Sequence, residues 1–476
     1  MIDQVAWAIS LSSGVLQLPL QGSPLLASAA EAETEPIVLA GVLLSLIVIY
    51  LASKLVGEIC ARINFPPVLG ELIGGVVVGV SALNLLVFPS GDEGTWNSLI
   101  LNLLQATAGM TAAQTPTVAE GISQVISVLS ELGVIILLFE IGLESDLNEL
   151  IRVGPQAAVV AVVGVAAPFA AGTAGLVLLF GVPVIPAVFA GAALTATSIG
   201  ITAKVLAEIQ RLTSTEGQII IGAAVLDDIL GIIVLAVVAS LAKTGEIQVG
   251  NIVYLIGSAS VFLIGSILLG RLLSPYFVTL VENIRTRGHL ILPAMVFALI
   301  LSYLGAAIHL EAILGSFAAG LILAETDKQH EIQEQVIPIA DIFVPIFFVV
   351  VGARTDVSVL NPFVPENREG LIIAVFLVIV AILGKLITGL TVFGQPGINR
   401  LAIGIGMIPR GEVGLVFAGV GSATGVLSEA LDAGIIVMVI LTTFIAPPLL
   451  RLVFQTPTSK EPMPQAAEGE KSLQEP

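Results

Sequence analysis

Cysteine, histidine, aromatic side chains and charge are all scarce in this chain. A single cysteine, Cys60, excludes an intramolecular disulfide and any multi-cysteine metal site. Charged residues make up only 11% and aromatics 5%, too little polar surface for a soluble domain of this length. Lys and Arg number 18 against 36 Asp and Glu, and a net charge of −18 excludes a basic nucleic-acid-binding face. What is abundant is apolar: 56% of the 476 residues are hydrophobic and the mean hydropathy is +1.04. These values describe an all-α polytopic membrane protein. The 48 glycines suit close helix packing and interrupted helices.

The hydropathy pattern predicts about thirteen spans. They lie near 36–56, 66–88, 125–145, 155–180, 184–208, 217–241, 250–273, 290–309, 311–324, 335–353, 370–392, 399–424 and 428–451. The ninth is short enough to be re-entrant or tilted. With the N-terminus outside, thirteen Lys and Arg fall on the inner side and three on the outer, leaving Lys385 and Arg410 within spans. That asymmetry predicts an outside N-terminus and a cytoplasmic C-terminus. Residues 1–35 read as an extracytoplasmic segment with a peptidase-like Ala27-Ser28-Ala29, though Asp3 replaces the usual basic start. Residues 454–476 read as a short polar cytoplasmic tail, too short for a regulatory domain.

An internal repeat is legible. Glu131–Leu147 matches Asp341–Val357 at an offset of 210, and Pro67–Gly79 matches Ala312 onward at an offset of 245, pairing Gly70 and Gly75 with Gly315 and Gly320. The difference between the offsets is assigned to a long loop at 89–124. Separation by seven spans makes segments 2–6 and 9–13 an inverted pair.

The chemistry concentrates in few residues. Asp227 and Asp228 are adjacent in the middle of an apolar helix, where each carboxylate costs about 2.5–3.5 kcal/mol to insert. Their expected role is a cation or proton site. Around a helix they point about 100° apart, so different roles follow. Lys385, in GLIIAVFLVIVAILGKLITGL, is the natural counter-ion for one of them. At about 1.5 Å per residue, Thr197, Asp227, Asp228, Lys385 and Arg410 share one layer. Segment 5, with Thr195, Thr197 and Ser198, and segment 12, with Pro409, Arg410, Gly411 and Glu412, look breakable at that depth. Such breaks expose carbonyls that coordinate a cation without added charge. The candidate cation and proton ligands are therefore Asp228, Asp227, Thr197 and Ser198, with either acid open to the cation. Pro409, Arg410 and Glu412 are expected to be structural, Arg410 and Glu412 as a charge pair. Glu71, Glu140 and Glu144 lie near span ends and suit cation access or pairing. His289, His309 and His330 are expected to be solvated.

In order along residues 36–453, PPVLGELIGGVVVG, TATSIGITAKVLAEI, GAAVLDDILGIIVLA, GKLITG and IPRGEVGLVFAG resemble the monovalent cation:proton antiporters, in particular the NapA-like branch. The resemblance implies a homodimer in the lipid bilayer, with a dimer domain at about 36–145 and 290–354 and a core domain at about 155–241 and 370–453. Segments 5 and 12 would be two crossed discontinuous helices. Asp228 would bind cation and protons alternately, Asp227 would pair with Lys385, and the paired acids resemble electrogenic exchangers. Sodium is the first expectation, with lithium or potassium as alternatives, and no cofactor is implied. The membrane would be the plasma membrane, or the thylakoid in a photosynthetic source. Three other readings compete: a Kef-like potassium/proton antiporter without its regulatory domain, a cation channel, and an intramembrane aspartyl protease.

Overall fold

In lipid, backbone groups must be satisfied within the chain, and apolar runs of this length do so as helices. The computed structural model describes residues 24–89, 96, 98–244, 249–284, 286–361, 363, 367–394 and 397–455. In these, the first half holds α1 (Pro24–Arg62), α2 (Pro67–Val78), α3 (Leu99–Thr107), α4 (Thr115–Glu144), α5 (Leu147–Phe180), α6 (Val184–Ala193), α7 (Ile199–Glu208) and α8 (Thr215–Thr244). The second holds α9 (Val249–Asn283), α10 (Ile291–Ala307), α11 (Ala312–Ala324), α12 (Gln329–Ala353), α13 (Asn367–Leu390), α14 (Arg400–Gly406), α15 (Glu412–Ala423) and α16 (Glu429–Gln455). Among the described residues, seven helices are long and apolar enough to cross a membrane and five more are shorter and apolar. Of the thirteen expected spans, segments 5 and 12 are each split, as their sequences predict, and the ninth, α11, is about 20 Å long, less than the hydrocarbon thickness.

Two expected boundaries need correction. The stretch 89–124 is not one loop. Leu99–Thr107 is a helix whose N-cap, Ser98, accepts from the Ile100 amide at 3.1 Å, and it buries Ile100, Leu101 and Leu104 against α1. α4 then begins at Thr115, well before the expected 125, because Val118, Ala119 and Ile122 bury in the same cluster. The first helix also starts before 36, so Ala27–Ala29 is helical. The remainder of the expected extracytoplasmic segment (1–23) and most of the expected tail (456–476) lie outside the described residues.

The helices pack in two groups. In one, α2 lies on α1 and α12, α4 on α11 and α12, and α10 on α11. In the other, α5 packs on α6, α8 and α13, α13 on α14 and α16, and α15 on α6 and α16. α9 touches both, through α8 and α11.

Glycine contacts confirm the inverted repeat. A Cβ on Gly75 would lie 2.2 Å from the Val349 carbonyl oxygen, and one on Gly352 2.1 Å from that of Leu72. Applying the two offsets turns this pair of contacts into another, also observed: Gly320 against Phe139 at 2.3 Å and Gly142 against Phe317 at 2.4 Å. The repeat also reaches further than expected. Gly70 abuts the Val56 carbonyl on α1 and Gly315 that of Leu301 on α10, at 2.5 and 2.2 Å for an added Cβ, so the first and eighth segments belong to it too. Because the obstacle is backbone in each case, Gly142→Val is expected to destabilise by about 1–3 kcal/mol or more through overpacking. A lowered melting temperature in detergent, set against the permissive Gly257→Val with open space around it, checks this.

Candidate functional site

Segment 5 is interrupted between Ala193 and Ile199, and segment 12 between Gly406 and Glu412. Small residues allow the two breaks to meet: a Cβ on Gly411 would lie 2.9 Å from Ser198 Oγ. A broken helix leaves amides and carbonyls without partners in their own ladder. Here each break satisfies the other. The Ser198 amide donates to the Pro409 carbonyl at 2.8 Å, Thr197 Oγ1 to the Met407 carbonyl at 3.0 Å, and Thr202 Oγ1 to that of Gly406 at 2.9 Å. Arg410, 1% exposed, donates from Nη1 to the Ala196 carbonyl at 2.7 Å. The two interrupted helices therefore cross at their breaks.

The charged residues converge on this crossing. Lys385 and Asp227 are fully buried and form an ion pair, with Nζ 3.1 Å from Oδ2 and 3.4 Å from Oδ1. The same ammonium donates to the Thr195 carbonyl at 2.7 Å, so Lys385 ties the acid pair's helix to the first break. Gly164 on α5 leaves the space for it, since a Cβ there would be 3.3 Å from Nζ. Asp228 is 5% exposed. Three residues beyond it on the same face, Gly231 would bring a Cβ to 4.0 Å from that of Ala196, which places this face of α8 toward the break. An ionisable carboxylate, a separately neutralised neighbour and two helix ends thus meet in a buried layer. Such an arrangement can hold a dehydrated monovalent cation or a proton at the same oxygen, because backbone dipoles supply ligands while the carboxylate supplies the charge.

Of the predicted site residues, Asp227, Lys385, Thr197, Ser198, Pro409 and Arg410 are brought into one hydrogen-bonded assembly. Glu412 opens α15, but its side chain lies outside the described residues; the partner observed for Arg410 is Ala196. Glu71, Glu140 and Glu144 are elsewhere. Glu71 accepts from Ser53 at 3.0 Å and Glu144 from Gln333 at 2.9 Å. His330 sits at the surface 3.3 Å from Glu334. Sequence reasoning missed Thr202, which lies four positions beyond Ser198 inside the second half-helix, and Glu208. The latter reaches across the two helix groups and accepts the Val68 amide at the start of α2, at 3.3 Å. The only signal for Glu208 is a carboxylate at the end of a half-helix.

Comparisons with known proteins agree with this geometry. The chain is 68% identical over 440 residues to a Synechocystis protein named high-affinity Na+/H+ antiporter NhaS3, covering 92% of this chain and 95% of that one. It is 33% identical to GerN of Bacillus cereus, a Na+/H+-K+ antiporter by name, over 85% and 94% of the two chains. A solved structure of the sodium proton antiporter MjNhaP1 from Methanocaldococcus jannaschii shares the fold, with a TM-score of 0.58 at 17% identity over 88% of this chain and 98% of that one. These relatives are transporters, which removes the protease reading. The profile of the family described as sodium/hydrogen exchanger, transmembrane, matches residues 42–456. The chain is an integral, multi-pass membrane protein and belongs to the sodium/hydrogen exchanger family.

Proposed function

We propose that this chain is a secondary active transporter that exchanges a monovalent cation, sodium first, for protons by alternating access. The observation that carries the reading is the acid pair beside the crossing breaks, with Asp227 paired to Lys385 and Asp228 on the helix face turned toward the break at Ala196. Protons and sodium compete for Asp228, and a site that cannot change sides while charged and empty converts that competition into exchange. The names of the relatives support sodium, and that of the Bacillus protein makes potassium the ion to test beside it.

The finer assignments follow the same logic. Asp227 and Lys385 form a second titrating pair, which makes the exchange electrogenic. Thr197 and Ser198 lend the break that faces Asp228. The first helix group serves as the dimer domain of a homodimer and the second as the core that moves against it. The N-terminus is outside and the C-terminus cytoplasmic, in the plasma membrane or, in a photosynthetic source, the thylakoid.

The test is dissipation of a pH gradient in everted vesicles, followed with a ΔpH dye as sodium, lithium or potassium is added. Sodium and lithium are expected to release protons at lower concentration than potassium. Potassium acting alone would reassign the cargo, and silence with all three would overturn antiport.

A further inference from the structure

The crossing breaks repeat as the glycine contacts do, and the repetition reaches the acid pair. Both edges of the break recur at an offset of 213: α6 ends at Ala193 and α14 at Gly406, while α7 begins at Ile199 and α15 at Glu412. One helix further on, Val225-Leu226-Asp227-Asp228-Ile229-Leu230 recurs at an offset of 215 as Ile440-Leu441-Thr442-Thr443-Phe444-Ile445. The surroundings recur too, since α8 and α16 each pack on all four half-helices. Thr443 is thus the counterpart of Asp228, and Arg410 that of Thr197.

Where the first half of the repeat has a carboxylate facing a break, the second has a hydroxyl already bonded to one. Thr443 Oγ1 donates to the Arg410 carbonyl, sharing its hydrogen with the Val439 carbonyl of its own helix at 2.7 Å. The side chain is 5% exposed and lines a cavity of about 120 Å³ between the two helix groups, with Arg410 and Gly411 on its side and Leu72 and Gly352 opposite. A chain of contacts leads from it to the site. Its hydroxyl holds the Arg410 backbone, the Arg410 guanidinium holds the Ala196 carbonyl, and Ala196 adjoins Thr197 in the break faced by Asp228.

We infer that Thr443 is a positioning residue for the cation: by fixing the Arg410 carbonyl it sets the spacing of the two break segments, and with it the size of the site at Asp228. The inference rests on the antiport reading and adds a residue that never touches the cargo. A buried carbonyl that loses its donor shifts to find another, and small changes in ligand spacing are read as selectivity between ions of different radius.

The experiment compares wild type, Thr443→Val and Thr443→Ser in proteoliposomes, measuring KM and maximal rate for sodium and lithium, with melting temperatures alongside. Thr443→Val, which keeps the shape and removes the hydroxyl, is expected to raise the sodium KM by about fivefold or more and change the sodium-to-lithium KM ratio by more than about twofold, with the maximal rate within about twofold. Its melting temperature should stay within about 4 °C of wild type. Thr443→Ser, which keeps the hydroxyl, should restore wild-type KM values. An unchanged KM in the valine variant, a fall in rate alone, or equal impairment of both variants would overturn the inference, the last by assigning the role to the methyl group. Should the valine variant not fold, Thr443→Ala carries the same comparison. Exchange by the wild type is the control: its absence defeats the antiport reading itself, whereas a normal wild type with an indifferent Thr443→Val defeats only this assignment.

Discussion

Asp228→Asn is expected to abolish cation-driven proton release, by at least about a hundredfold, in a protein that still folds. The substitution is nearly isosteric and removes only the ionisable oxygen. A neutral amide offers a carbonyl oxygen to a cation but no charge to offset its dehydration, and it cannot take up a proton in exchange. Both halves of the cycle are lost together, which separates this variant from one that merely weakens affinity. Folding should be spared, because asparagine keeps the volume of aspartate and the crossing is closed by bonds from Ser198, Thr197, Thr202, Arg410 and Lys385. The check is ΔpH-dye recovery on adding sodium across pH 6.5 to 9, with melting temperature on the same preparation. Residual exchange at any pH within tenfold of wild type would remove Asp228 from the cargo site.

Lys385→Ala should have the largest effect on stability. Its ammonium is fully buried and holds two partners, Asp227 and the Thr195 carbonyl. Removing one member of a buried ion pair leaves the other charge uncompensated, at a cost of about 3–5 kcal/mol. The Asp227→Asn/Lys385→Met double variant keeps volume and removes both charges, so most of that loss should be recovered. Unfolding midpoints of the two single variants and the double variant close the cycle. Transport adds an independent reading. Under the proposed electrogenic exchange, the double variant should lose its dependence on membrane potential, measured with a potassium-valinomycin clamp. Strict additivity of the single losses would mean that the 3.1 Å contact carries no coupling.

Much of this site was legible because a bilayer punishes charge. Two aspartates and a lysine inside apolar runs have few explanations, and Thr-Ser and Pro-Arg-Gly clusters at the same depth mark helix breaks. The repeat was legible from glycines, since close backbone approach tolerates little else. What was not legible follows from the third dimension. Nothing in a linear pattern says that Arg410 reaches across to the Ala196 carbonyl on another interrupted helix, when Glu412 stands two residues away. The short helix at 99–107 does not stand out from a loop in sequence, because it is half-buried and flanked by polar residues and its apolar stripe is shorter than any span. Thr443 was invisible for another reason: a threonine in a membrane helix ordinarily bonds its own preceding turn, and only the register of the repeat singles it out.

The glycine contacts of the first helix group have a mechanical consequence. Where backbone rests on backbone, there is no side chain to change rotamer and absorb a displacement, and the two symmetric pairs resist sliding in both directions. Helices joined in this way are expected to shift as blocks, and the same holds within the second group, where a Cβ on Gly389 would lie 1.8 Å from the Arg400 carbonyl oxygen.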